Sequence, residues 1–418
     1  MNPLIHIVDD EPMLLEMLSQ FLSRTNSSWR IECFSKPTLA IEAARANNPD
    51  IIISDFSMPE MTGTDMLEKI RQFVPNTVRI LVSGYANPKA MTNKLSAAHQ
   101  YLAKPYSLAD LRSKIQKAFK ALDHFKNPEL RATILSIRTL PAMPQIYYAL
   151  LSALEDPDSS YTDIVDILAK DAAISAKIIQ MANSPLFREN GGGQAVIELL
   201  QAINLLGTER LKAAVLSHQL FESYNTIPDF FGSVSLTHHR WETANNSFEM
   251  ARQMDLKEDQ IRDAYVAGLM HDMGRLILMD NFTNIYRGVC QRAVAENRPL
   301  SPIEEEQFKM SQADVIGFLA SLWGMRDRIV DAITFQEKPW GAPNDDAIET
   351  ASAVYLAHLK SNILHPSEKF QQLQPNMDFL KQRTWDHLLP APKEEKKSNT
   401  TTSKTSQRSG PPRRPLDF

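Results

Sequence analysis

Four places along the chain carry residue types that together could bind and transfer a phosphoryl group. Asp9, Asp10 and Glu11 follow one short apolar run, Asp55 closes another, and Ser83 and Lys104 each follow one more. Carboxylates brought close together repel, and a divalent cation with oxygen ligands is the natural resolution. Magnesium suits such a group, because it takes one or two carboxylates and keeps positions for phosphate oxygens. A carboxylate can attack phosphorus while a metal and an ammonium neutralise the charge that grows on the transferred oxygens. The Ser83 hydroxyl and the Lys104 ammonium complete a pocket of that kind, with Asp55 as the nucleophile. Taken singly, an Asp after a strand is usually a turn or cap, and Lys-Pro is a common helix prelude. It is the order and spacing of all the pieces that carries the reading.

Positioning them requires a sheet. Leu4 to Val8, Arg30 to Phe34, Ile51 to Ser54, Val78 to Val82 and Gln100 to Ala103 read as strands alternating with helical patterns. Five such units in order predict a doubly wound α/β fold with a five-stranded parallel sheet, whose ligands gather beyond the carboxyl ends of the strands. With the first and third strands adjacent, Asp9, Asp10 and Asp55 converge. The last helix, from about Ser107, spaces Leu108, Leu111, Ile115, Ala118, Leu122 and Phe125 by threes and fours, which is an a/d seam. Its first half is expected to pack on the sheet and its second half to be a linker, with a homodimer through residues 107–125 left open.

Over residues 1 to about 122 these motifs resemble the receiver domain of two-component response regulators, which are CheY-like. The resemblance implies that Asp55 is the phosphoacceptor and that magnesium is held by Asp10 and Asp55, with Asp9 assisting and the Ser57 carbonyl contributing. It also implies that Ser83 and Lys104 are the switch hydroxyl and lysine, and that Tyr101 is the aromatic that turns inward on phosphorylation. Met58-Pro59 and Gly63 match the loop after the acceptor.

Beyond Pro128 the pattern is helical to about residue 389, with no strand series and no fixed-period repeat. Leu140-Pro141 to Pro144 reads as a proline-bounded helix entry, and Ile167 to Ala182 as an amphipathic helix stopped by Asn183-Ser184. Ile164, Ile167, Leu168, Ile174, Ile178 and Ile179 are expected in the core, and Asn183 and Ser184 in helix-terminal hydrogen bonds. Later come His238-His239 and the string Gly268-Leu269-Met270-His271-Asp272-Met273-Gly274-Arg275. With Asp171 and Leu205-Leu206-Gly207, these motifs resemble in order the HDOD domain, a relative of the metal-dependent HD phosphohydrolases, over roughly residues 133 to 337. His239 falls where the first metal histidine of those relatives would stand. Gln312 and Gln336 stand where further histidines are expected, and His358 where an aspartate is. Glutamine is a poor transition-metal ligand beside imidazole. His239, His271 and Asp272 are therefore expected to be a structural remnant held by hydrogen bonds, with no cofactor in this domain.

At 418 residues the chain should hold two or three domains. The division expected is a receiver at 1–122, a helical linker at 123–135, an HDOD domain at 136–340, a helical extension at 341–389 and a disordered basic tail at 390–418. A net charge of −5 gives no global attraction for nucleic acid. Two cysteines are too few for a disulfide framework and suit a reducing compartment. The start lacks a basic n-region, and no segment approaches the roughly 18 apolar residues of a membrane span, so a cytoplasmic protein with no membrane partner is expected. The implied function is a response regulator: a sensor histidine kinase phosphorylates Asp55, and the helical domain answers by binding an output protein without catalysing a reaction. The alternative makes the helical domain a metal-dependent phosphodiesterase or nucleotide hydrolase.

Overall fold

The computed structural model describes residues 3–83, 97–125, 128–137, 145–155, 159–183, 195–223, 236–364 and 374–389. Leu140 to Pro144, Ser184 and the tail from residue 390 lie outside them.

The N-terminal unit is built on five parallel strands: β1 (Leu4–Val8), β2 (Arg30–Phe34), β3 (Ile51–Asp55), β4 (Val78–Ser83) and β5 (Gln100–Ala103). Their spatial order is β2-β1-β3-β4-β5, so β1 lies beside β3. β3 and β4 each run one residue past their apolar stretch, taking Asp55 and Ser83 into the sheet. β1 and β3 are buried along their whole length, as expected of strands covered on both faces. Among the described residues three helices join the strands: α1 (Pro12–Thr25), α2 (Pro37–Asn47) and α3 (Gly63–Arg71). Proline at the first helical position starts α1 and α2, and the Thr62 side chain caps α3 by accepting from the Asp65 amide. A fourth helix, α4 (Leu108–His124), opens with a capping box between Ser107 and Asp110.

Among the described residues the regular elements that follow are helices: α5 (Pro128–Ser136), α6 (Gln145–Glu155), α7 (Tyr161–Leu168), α8 (Ala172–Ala182), α9 (Leu199–Leu206), α10 (Thr208–Ser223), α11 (Leu236–Gln253) and α12 (Glu258–Met270). They continue as α13 (Met273–Asn281), α14 (Thr283–Glu296), α15 (Leu300–Phe308), α16 (Gln312–Leu322), α17 (Asp327–Thr334), α18 (Asp345–Leu364) and α19 (Met377–Gln382). No helix among the described residues is long and apolar enough to cross a membrane.

Three sequence expectations need correcting here. The stretch from Ile167 to Ala182 is two helices, because the Asp171 side chain accepts from the amides of Ala173 and Ile174 and so starts α8 afresh. Ile164, Leu168, Ile174 and Ile178 are core, but Ile167 and Ile179 are only half-buried at the edge of that face. The second half of α4 is more than a linker. Ala118, Leu122 and Phe125 join one continuous apolar core with Phe318, Leu322, Ile329 and Val330 of the helical unit, and the Phe125 ring meets Phe318 edge-on at 5.4 Å. Within the chain that seam is therefore covered. Asn183 does form helix-terminal bonds: its amide donates to Ile179 O and Val196 O and its side-chain oxygen accepts from Val196 N.

Candidate functional site

Parallel register brings the sequence-predicted residues to one end of the sheet. Asp9 follows β1, Asp55 and Ser83 close β3 and β4, and Lys104 follows β5, its amide donating to Ser83 O at 2.8 Å. Lys104 Nζ lies 2.5 Å from Asp55 Oδ1 and 3.6 Å from Asp9 Oδ2. The other oxygens are fixed by backbone: Asp9 Oδ1 accepts from the Glu11 amide and Asp55 Oδ2 from the Ser57 amide. Tyr101 pairs with Leu81 in β5, while its side chain lies outside the described atoms.

Asp9 and Asp55 are buried, whereas Asp10 is exposed at the rim. Burial is the main reason the Asp9 carboxyl is pushed above its usual range; the charges of Asp55 and Asp10 add to this, and the Glu11 amide and Lys104 oppose it. Burial works the other way on Lys104, but its hydrogen bond to Asp55 and the fields of both carboxylates outweigh that, and its ammonium is held more firmly than usual. The sequence reading missed Tyr106. It is half-buried beside Lys104, with a hydroxyl raised by burial and by the nearby carboxylates, and its only sequence signal is its place two residues past Lys104. Gly63 matters for space, since a Cβ there would stand 2.0 Å from Asp55 O. Only glycine lets α3 start against β3.

Two buried carboxylates with a third at the rim form a hard-oxygen donor set of the kind magnesium takes. Among the described residues no three His, Cys, Asp or Glu side chains already stand as a metal site, and the Lys104 ammonium lies between Asp9 and Asp55.

A second constellation sits in the helical unit. His239 on α11, His271 at the end of α12 and His358 on α18 form a triangle of rings, with centroids 5.2, 5.6 and 6.1 Å apart. Burial is the first cause that holds the imidazoles of His271 and His358 well below the usual range, and neighbouring histidines add to it. The expected hydrogen bonds exist only in part. His271 Nδ1 is 2.8 Å from Gly268 O, and His271 O accepts from both Gln312 Nε2 and Gln336 Nε2 at 2.8 Å. Both Asp272 oxygens and His358 Nδ1, in contrast, are buried with no hydrogen-bond partner among the described residues. The Asp272 carboxyl is raised by burial, against the pull of Arg240, His239 and Arg275. Thus the glutamines that replace expected histidines bind the backbone of the His-Asp pair, and His358 completes the ring triangle.

Known proteins match this chain in two blocks. The response regulator receiver domain matches residues 5–116 and the HDOD domain residues 140–339. An uncharacterised protein of Treponema pallidum is 20% identical over 237 residues, covering 57% of this chain and 45% of that protein. The probable transcriptional regulatory protein TcrX of Mycobacterium tuberculosis is 33% identical over 106 residues, covering 25% and 44%. The chain thus spans under half the length of these curated relatives. Among solved structures, an HDOD domain protein of unknown function from Geobacter sulfurreducens is 24% identical with a TM-score of 0.47, covering 59% of this chain and 80% of that one. The response regulator TrrA of Thermotoga maritima, solved with Mg(2+)-BeF, is 26% identical with a TM-score of 0.26, covering 28% and 98%. The chain carries a response regulator receiver domain followed by an HDOD domain.

Proposed function

We propose that this protein takes a phosphoryl group from a sensor histidine kinase onto Asp55 and answers through a non-catalytic HDOD domain that binds an output protein. The observation that supports the reading is the Lys104 ammonium, placed between Asp55 and Asp9 at the ends of three strands. In the transfer, an Asp55 carboxylate oxygen attacks phosphorus, the P–N bond of the phosphohistidine breaks, and the bonding pair returns to the imidazole. Lys104 faces the oxygens that gain charge, the Ser57 amide orients the carboxylate, and Ser83 and Tyr101 answer the new group. Asp9, Asp10, Asp55 and the Ser57 carbonyl would hold magnesium, which when bound neutralises the transferred oxygens. Water later hydrolyses the acyl phosphate and restores the carboxylate. We divide the chain into a receiver at 1–122, a linker at 123–135, an HDOD domain at 136–340, an extension at 341–389 and a tail at 390–418, all in the cytoplasm. A homodimer through 107–125 would have to uncover the α4 seam.

Intact mass after treatment with acetyl phosphate and magnesium tests the reading. One added phosphoryl mass is expected in the wild type and none in Asp55→Ala. An undiminished addition in the variant removes Asp55 from the role.

One observation favours the hydrolase reading of the HDOD domain, namely the unpartnered Asp272 carboxylate beside three imidazoles. Native mass spectrometry of the full chain purified without chelators decides it. A bound metal lost in Asp272→Asn supports hydrolysis, and a metal-free protein leaves the interaction module.

A further inference from the structure

Helix α16 reaches two places that are otherwise far apart in function. At its carboxyl end, Leu322 O accepts a hydrogen bond from Gln100 Nε2 at 2.8 Å, and both residues are buried. At its amino end, Gln312 Nε2 donates to His271 O at 2.8 Å. Gln100 is the first residue of β5, the strand that leads directly to Lys104. The last carbonyls of a helix have no partner within it. Nearby amides are already committed here: Trp323 to Leu319 O, Gly324 to Ser321 O and Met325 to Ala320 O. Leu322 O is thus satisfied from the receiver, and a buried carbonyl does not give up such a bond freely.

The helix between these bonds is short and tightly seated. Eleven residues span about 16 Å. A capping box of Ser311 and Asp314 fixes its start. On one side a Cβ at Gly274 of α13 would stand 1.9 Å from Gln312 O, and on another a Cβ at Gly317 would stand 2.2 Å from Thr334 Oγ1 of α17. A rod packed this closely cannot bend locally to absorb a pull at one end; it moves as a body or stays. Its amino end is one of two donors to His271 O, the backbone of the cluster that also holds the unpartnered Asp272.

We propose that α16 is the lever that carries the state of the Asp55 pocket to the His271–Asp272 cluster, through the Gln100–Leu322 bond at one end and the Gln312–His271 bond at the other. This rests on the reading of Asp55 as phosphoacceptor. A displacement of β5 shifts Leu322, α16 follows, and Gln312 gains or loses its hold on His271 O. Gln100 and Gln312 are then positioning residues, acting through the helix and touching no phosphoryl group.

Spatial continuity suggests such a path, and coupling has to be measured. Hydrogen exchange by mass spectrometry on the full chain, with and without beryllofluoride and magnesium as phosphoryl mimic, reads three regions: the receiver (segments 51–57 and 100–104), residues 312–322 and residues 268–276. In the wild type all three should change on adding the mimic. In Gln100→Leu the receiver segments should still respond, while 312–322 and 268–276 lose their response. In Gln312→Leu, 312–322 should respond and 268–276 should not. The retained receiver response shows in each case that the variant is folded. An undiminished response at 268–276 in Gln100→Leu overturns the lever, as does a wild type whose receiver responds while 268–276 does not. A wild type whose receiver segments are also silent removes the Asp55 reading, and the lever with it.

Discussion

The contact between Gly274 and α16 allows a sharp test, because a second glycine supplies its own control. At Gly274 a methyl group would begin 1.9 Å from Gln312 O and 2.8 Å from Gln312 C. Real Cβ atoms do not come within 3.0 Å, so α13 and α16 must part by about 1 Å or a helix must shift along its axis. The obstacle is backbone, so no side-chain rotation relieves it. Overpacking of a close-packed core costs about 1–3 kcal/mol, and a clash with backbone belongs in the upper part of that range. At Gly288 on α14 nothing lies within 4 Å of the added carbon, and there alanine gains about 0.5–1 kcal/mol from its better helix propensity. Gly274→Ala should therefore lose about 2–3 kcal/mol and Gly288→Ala should gain up to about 1. For a unit of about 200 residues each kcal/mol moves the melting temperature by about 2–4 °C, which separates the two variants by about 5–16 °C. Calorimetry on the full chain, following the transition that the Gly288 substitution shifts, measures the difference. A Gly274→Ala protein as stable as wild type refutes the packing argument, and with it the claim that α16 is seated too closely against α13 to yield locally.

Two further outcomes follow from buried charge. Asp331 of α17 has its carboxyl pushed up to about 6, chiefly by burial and also by Asp327, against Lys120, with His124 Nε2 at 3.2 Å across from α4. A carboxyl raised above its unfolded value of about 3.9 stabilises the fold at low pH and loses that contribution as pH rises. Urea unfolding from about pH 4 to about pH 7 should show wild type losing about 1–2 kcal/mol relative to Asp331→Asn, and a constant difference would contradict the burial account. Glu304, fully buried, pairs with Arg275 at 3.1 Å and accepts from Tyr286. Glu304→Ala leaves the Arg275 guanidinium without that carboxylate and should cost about 3–5 kcal/mol, which chemical denaturation would detect as a large drop in the midpoint.

The receiver pocket was legible because its parts are local. Each chemical residue ends an apolar run, and a parallel sheet fixes where run ends go, so Asp9, Asp55, Ser83 and Lys104 could be placed together from spacing alone. Tyr106 was missed because it follows the strand end at a distance that carries no periodic signal. In the helical unit the residues were recognised but their partners were not. Helices of similar amphipathicity can pack in many pairings, and nothing in the string says that Gln312 and Gln336 meet at one carbonyl, that His358 faces His239 and His271, or that the Asp272 carboxylate has no hydrogen-bond partner among the described residues. The a/d seam of α4 was read correctly as apolar, yet a seam does not name its partner. Asp171 illustrates the opposite failure: an N-cap sat inside a continuous apolar pattern, and the pattern was followed instead of the cap.

The covering of that seam bears on how the molecule can be cut. A fragment ending after Phe125 would strip part of that row of its cover, beginning with Phe125, since Phe318, the ring it meets edge-on, belongs to the discarded half. Such a fragment would be sticky by construction, and its pairing with copies of itself would describe the wound left by truncation, while the uncut chain keeps the same row closed against its own later helices.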